Sequence, residues 1–470
     1  MKFMQNRPTK ISIRKRAFEK ILNEALLIRK DSDKPLTVIY DEDFMKFFDS
    51  LLKVLTEWNI PSTFIFIPKH YQSMMLDNKK FLNDNDEIDL PPQISGALQS
   101  SAFILNFLNG DSKYSKIRGS IISLQKQTAS KMVHSPGIGD DVLKIVTKSP
   151  FKKIYRDSEL VAWALGNTFL CKIISADSNN REYTLSFNIE GWENEPFMSP
   201  GKIFDDSWGN IPPGESFCCP EFTSVNGQIC INGSLPGYLL YPNEEVVLQF
   251  RKGKMIQWES TGEKAKKYFS EFEKDARNRD DNNWNSFAEF GIGLNPMIKK
   301  LVGNALFDEK MGGTIHIALG DNRNFGHGIG SFYHDDLVCM RPTVILDENV
   351  VIEKGVLAMN RIRAWKRSIS FEELHLNERD TISFNERRIQ IEPTKMHRML
   401  SKGDRKGKIG ILNGKYESLY GKFKAIFRNT GDMRYRDLKR KFQTRELVQL
   451  KKMLSCFHHY KIIDITRDEN

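Results

Sequence analysis

Long apolar runs are missing from this chain of 470 residues. None approaches the ~18 residues that a membrane span needs, and the first twenty residues are basic and polar, without the apolar stretch of a secretory signal. No membrane contact is expected, and the expected location is the cytoplasm. Cysteine is scarce as well. Cys171, Cys218, Cys219, Cys230, Cys339 and Cys456 show no CxxC spacing. That excludes a disulfide scaffold and a zinc knuckle and leaves buried free thiols as the expectation. What is abundant is core material: 40% hydrophobic residues, with 31 Phe among them. Such a composition excludes wholesale disorder. A single core rarely grows beyond roughly 250–300 residues, so two or three domains are expected.

The net charge of +10 is not spread along the chain. From Thr394 to Asn470 there are 20 Lys and Arg against 8 Asp and Glu, a local balance of +12, so the residues before Thr394 carry −2. The basic character belongs to the tail, and whatever the rest does is done without a strong positive field.

Leu36 to Tyr40 (LTVIY) reads as a buried strand. Asp41 to Trp58 carries Phe44, Phe47, Phe48, Leu51, Leu52 and Leu55 at helical spacing, and Ser62 to Ile67 returns to strand. Pro91 and Pro92 open a helical stretch to Ser100, Ala102 to Leu108 reads as a strand, and Pro136 to Val146 as a helix after a Gly-rich start. Strand, helix and strand at this pitch predict an open, parallel, flavodoxin-like α/β sheet over residues 1–185. The loop His134-Ser135-Pro136-Gly137-Ile138-Gly139 lacks both the GxGxxG spacing and the lysine of a phosphate cradle, so it reads as an ordinary helix start. From Tyr183 the texture changes to short alternating runs with turn signals at Asn226-Gly227, Asn232-Gly233 and Lys252-Gly253, which imply hairpins. Gly262 to Ala276 reads as an amphipathic helix with Ala265, Tyr268, Phe269 and Phe272 on one face. A second, α+β domain is expected over 186–393.

The chemistry concentrates between Ala288 and Asp336. Alternation in Gly313-Thr314-Ile315-His316-Ile317-Ala318-Leu319-Gly320 predicts a strand with Thr314, His316 and Ala318 on one face. His334 and Asp336, two apart, share a face on a strand and can present an imidazole and a carboxylate to one metal ion. Glu289, framed by Gly291 and Gly293, is a carboxylate that burial would force the fold to neutralise, and a metal would do that. Glu215 follows the turn Pro212-Pro213-Gly214. Three of the nine histidines fall within residues 316–334.

Four strings in order, PPGESFCCP (212–220), AEFGIGLNP (288–296), DEKMGGTIHIALGDN (308–322) and the HxD at His334–Asp336, resemble the motifs of the thermophilic-type leucyl aminopeptidases, the aminopeptidase T and aminopeptidase S group. VNGQICINGSLPG (225–237) is similar to a further region of that family, and the likeness spans roughly residues 36–355. The resemblance implies a two-domain metallopeptidase with a pair of Zn, Co or Mn ions in a cleft, often as a homodimer, acting on peptides or small amides. Carried over by residue, it implies Glu215, Glu289, His316, His334 and Asp336 as metal ligands. Glu309 is implied as a supporting or general-base group. The implied mechanism has the metals polarise the scissile carbonyl and activate water, while Glu309 or Glu289 moves the proton to the leaving amine.

Two departures from the family pattern bear on activity. The family's metal-binding tyrosine has no counterpart between Gly320 and Ser331, and Tyr333, beside His334, would point to the opposite face of a strand. Gly326-His327 stands where the family has Gly-Gly, making His327 an additional imidazole near the site, and Asp335 stands where the family has tryptophan inside HxD. The superfamily also includes iron enzymes that open dihydroxypyridine rings. The alternatives are therefore a single Fe(II) on His316, His334 and a carboxylate, acting with O2, or a degenerate site in a binding protein. Residues 394–470 read as three short helices and a strand, in outline a small, basic winged-helix-like module. Arg434, Arg436, Lys439, Arg440, Lys441 and Arg445 could meet a nucleic acid or an acidic protein.

Overall fold

The computed structural model describes residues 9–83, 88–110, 114–189, 196–204, 207–325 and 328–368, with 376, 378–384 and scattered residues between 422 and 467. The expected parallel sheet is present. Its five strands lie in the order Ser62–Phe66, Leu36–Tyr40, Phe103–Phe107, Lys131–His134 and Trp208–Asn210, all parallel. The two central strands, Leu36–Tyr40 and Phe103–Phe107, are buried along their whole length because both of their faces are covered. Leu36, Val38, Phe103, Leu105 and Phe107 pack with Phe18, Phe47, Leu51, Val54, Leu143 and Val146 of three helices, Lys10–Lys20, Met45–Glu57 and Asp140–Lys148, and with Phe44 of the turn before the second. Ile39, Ile104 and Met132 face the other way, onto Met75, Ile94, Leu98, Ile117 and Ile121. Period-2 alternation in the strands thus divides the side chains between two helical layers.

Two antiparallel sheets follow. One has eight strands in the order Lys254–Ser260, Val246–Arg251, Asn226–Ile231, Glu182–Asn188, Leu170–Ala176, Thr343–Leu346, Asn349–Glu353 and Val356–Leu357. The other has seven, in the order Tyr238–Leu239, Ser234–Leu235, His334–Cys339, Ile315–Gly320, Phe287–Gly293, Glu215–Cys218 and Phe197–Ser199. One shared core lies between them. Ile173, Leu185, Phe187, Ile229, Ile231, Leu248 and Phe250 from the first meet Phe287, Phe290, Ile292, Ile315, Ile317, Leu319, Leu337 and Cys339 from the second. One face of the seven-stranded sheet is spent on this core, which leaves its opposite face free for polar side chains.

A three-stranded sheet of Met433–Arg434, Thr381–Phe384 and Ile463–Thr466 joins the tail to the segment before it. Helix Tyr435–Arg440 follows its first strand in space. Within the other two tail helices expected from sequence, residues 422–423, 425–427, 450, 454 and 458 are helical, and the rest of both spans lies outside the described residues.

At the end of strand Lys131–His134 the His134 ring is 7% exposed, accepts a 3.1 Å hydrogen bond at Nδ1 from Asn106 Nδ2 and stands edge-on to Trp208. Burial, helped by the charge of Arg118, pushes its pKa down to about 3. A histidine kept neutral in the fold but free to protonate when unfolded adds stability above its unfolded pKa. That stability is lost as pH falls from about 6.5 towards about 3, with a slope of at most ~1.4 kcal/mol per pH unit. Urea midpoints measured between pH 4 and pH 7 should therefore fall less steeply with acid in His134→Gln than in the wild type. Equal slopes would contradict this account of His134.

Candidate metal centre

The polar face of the seven-stranded sheet is built by strand register. Gly291 lies opposite Phe217 on one side and His316 on the other, and Gly293 lies opposite Glu215. Glu289 lies opposite Ala318, which in turn lies opposite Asp336. A bulge between Phe287 and Glu289 sets which side chains point where. Ala288 is the extra residue. In a regular strand Phe287 and Glu289, two apart, would share a face; the bulge lets Phe287 join the apolar core while Glu289 turns to the polar face. Gly291 is required by a close approach, since a Cβ there would sit 2.0 Å from Cε1 of His316. The imidazole occupies the space that the missing side chain leaves.

Six residues named from sequence converge here. Glu215, Glu289, Glu309 and His316 are at most 5% exposed. His316 Nε2 donates to Glu289 Oε1 at 3.1 Å and lies 3.8 Å from Glu215 Oε2. His334 Nε2 lies 3.5 Å from Glu289 Oε2 and 3.6 Å from Asp336 Oδ1. The ligand atoms of Glu289, His316 and Asp336, and likewise those of Glu215, Glu309 and His316, lie within 4.8 Å of one another. His334 is fixed from behind, because its Nδ1–H donates to the Asp321 carbonyl at 2.6 Å and so leaves Nε2 facing the carboxylates. His327 lies outside the described residues.

Lys310 was not named from sequence. It is fully buried, and its Nζ donates to both Glu215 Oε1 and Glu309 Oε1. Asn295 pins the surrounding backbone: its N–H donates to the Lys310 carbonyl at 2.8 Å, and its Nδ2 donates to Pro213 O at 2.8 Å and Ser149 Oγ at 3.0 Å. Gly214, at φ +125°, passes so close to Asn295 that a Cβ would meet its backbone nitrogen at 2.8 Å. Glu215 is therefore presented by a turn clamped to the loop that carries Lys310.

The electrostatics match this packing. Burial alone would raise Glu289, but the hydrogen bonds and charges of His316 and His334 bring it down to about 2. Burial opposes protonation of His316, yet Glu289 and the charges of Asp336 and Glu309 lift it to about 9. His334 is raised for the same reasons, with Asp336 and Glu289 overcoming its burial. Burial raises Glu215 to about 7 against the pull of Lys310, and raises Asp336 together with its carboxylate neighbours. Among the described residues, four polar atoms on this face have no hydrogen-bond partner: Ser199 Oγ, Glu215 Oε2, His316 Nδ1 and Asp336 Oδ1. Orphaned acceptors amid imidazoles and carboxylates are the donor set a hydrolytic divalent cation takes, so the residues fit such a group.

The two departures from the family pattern have structural partners. Tyr333 turns away, its hydroxyl donating to Asp275 Oδ2 at 2.6 Å. Asp335 also faces helix Glu263–Asn278 and accepts from the Tyr268 hydroxyl, a bond that anchors the strand carrying His334 and Asp336. Beside the centre an aromatic wall runs from Phe197 over Phe217 and Phe325 to the His334 ring, with neighbouring centroids 5.2, 5.1 and 5.6 Å apart. Because Gly291 makes room for the imidazole, Gly291→Ala should displace His316. Zn2+ affinity, measured by titration calorimetry, is expected to fall at least about tenfold. Unchanged affinity would contradict this placement.

The family model of the thermophilic metalloproteases (M29) matches residues 192–328. Among curated proteins none matches the chain by sequence. Solved structures similar in fold include 2,5-dihydroxypyridine dioxygenase from Pseudomonas putida KT2440 and AmpT from Thermus thermophilus. The first has 13% identity and a TM-score of 0.58 over 75% of this chain and 98% of its own. The second has 13% identity and a TM-score of 0.51 over 74% of this chain and 99% of its own. Residues 192–328, with Glu215, Glu289, Glu309, Lys310 and His316 among them, thus resemble the thermophilic metalloproteases, as the ordered motifs led us to expect.

Proposed function

We propose that this chain is a metal-dependent hydrolase that removes N-terminal residues from peptides or cleaves a related small amide. The observation that carries the reading is the convergence of buried Glu289 and His316 with half-buried Asp336 and the part-exposed His334, with orphaned acceptors, inside a fold similar to AmpT. These four side chains would hold the divalent cation, with Zn, Co and Mn all suited to the donor set. When bound, such an ion supplies Lewis acidity, polarising a carbonyl and lowering the pKa of a water. The protein's own groups do the rest. Both oxygens of Glu289 are engaged by imidazoles, so Glu289 is a poor proton carrier. Glu309 is the better one, because Lys310 holds only its Oε1 and its carboxylate borders His316. The aromatic wall of Phe197, Phe217 and Phe325 offers an apolar side for the substrate residue.

The oxidative alternative draws its support from the fold likeness to the dioxygenase and from the two imidazoles beside one carboxylate, a set that also suits a single Fe(II). In the same reading the chain divides at about 185 and 393, pairs as a homodimer in the cytoplasm, and uses residues 394–470 to hold an acidic protein or a nucleic acid. Exposed Arg434, Arg436, Arg440 and Lys441 support that last role. Among the described residues no helix is long and apolar enough to cross a membrane.

The test is anaerobic cleavage of aminoacyl p-nitroanilides by protein loaded with Zn, Co or Mn. Hydrolysis without oxygen is expected, and Glu309→Gln should lower kcat by about 10²–10⁴ while keeping its metal. Bound iron with oxygen consumption, and no amide cleavage, would contradict hydrolysis.

A further inference from the structure

We propose that the centre takes one divalent cation per chain, on Glu289, His316, His334 and Asp336, with the Lys310 ammonium as the resident positive charge of Glu215 and Glu309. The proposal rests on the metal-centre reading above and fixes the number of ions in it.

Two overlapping groups of ligand atoms are present, and His316 belongs to both. Its Nε2 faces the carboxylates and leans towards one of them, 3.1 Å from Glu289 against 3.8 Å from Glu215. One nitrogen lone pair serves one ion. Assigned to Glu289, His334 and Asp336, His316 completes a set of two imidazoles and two carboxylates. Taken out of the other group, it leaves, among the described residues, Glu215 and Glu309.

Those two carboxylates are already bridged. Lys310 Nζ donates to an oxygen of each, and the lysine is 0% exposed. Its backbone is held, since Asn295 N–H donates to its carbonyl and its own N–H donates to Phe307 O at 3.3 Å, and its Nζ is enclosed with both carboxylates out of contact with solvent. A second dication at Glu215 and Glu309 would sit beside a buried ammonium with no water to screen the repulsion. Nor is a spare ligand at hand in Tyr333, whose hydroxyl is committed to Asp275.

The full chain, stripped of metal and titrated with Zn2+ by calorimetry, with the bound metal counted after gel filtration, should take up one ion. Lys310→Met frees both carboxylates and should take up two. Because that variant places two carboxylates together without a counter-charge and can fail to fold, Glu215→Gln provides a second arm. It should still bind one Zn2+ with affinity within about threefold of wild type, whereas a ligand's loss costs about tenfold or more. Two ions in the wild type, a single ion in folded Lys310→Met, or a loss of about tenfold or more in Glu215→Gln would each overturn the proposal. A wild-type chain that takes up no Zn2+ would instead overturn the metal-centre reading itself.

Discussion

The constraint on which this architecture depends is the burial of opposite charges on one sheet face. Glu215, Glu289, Glu309, His316 and Lys310 sit where water scarcely reaches, and none could be tolerated there alone; the half-buried Asp336 and the part-exposed His334 complete the cluster. They are tolerated because each faces an opposite charge: Lys310 between Glu215 and Glu309, and the imidazoles against Glu289 and Asp336. Such a cluster is poor evidence for stability, since well-packed apolar residues would serve a core as well or better. Its persistence needs another reason, and orphaned acceptors at its centre supply a chemical one.

The rest of the fold positions these charges. Sandwiching the seven-stranded sheet against the eight-stranded one fixes which face is apolar, and the bulge at Ala288 switches Glu289 onto the other. Gly291 gives the His316 ring its space, and Asn295 ties the Pro213 turn, the Lys310 loop and Ser149 of the parallel-sheet unit into one frame. A change at any of these places would move a charge rather than merely loosen packing.

Much of this was legible in the sequence because it is local. Period-2 alternation put His316 beside Ala318, set His334 with Asp336 and turned Tyr333 away, and the structure follows all three. The parallel sheet was readable from short apolar runs separated by helical spacing. Lys310 was not readable. A lysine in Asp308-Glu309-Lys310 looks like part of a solvated turn, and its burial arises only when the Pro213 and Asn295 segments, distant in sequence, close around it. The order of the antiparallel strands and the bulge at Ala288 are likewise set by long-range packing. So is the Tyr268–Asp335 bond, because the sequence showed Tyr268 only as one residue of an apolar helix face.

The most direct measurement is anomalous diffraction from crystals of the chain grown with Zn2+, recorded on both sides of the zinc absorption edge. The account predicts an anomalous peak among Glu289, His316, His334 and Asp336, with Lys310 still bridging Glu215 and Glu309. Crystals in which His316 and His334 remain paired to Glu289, with no anomalous peak at this face, would contradict it.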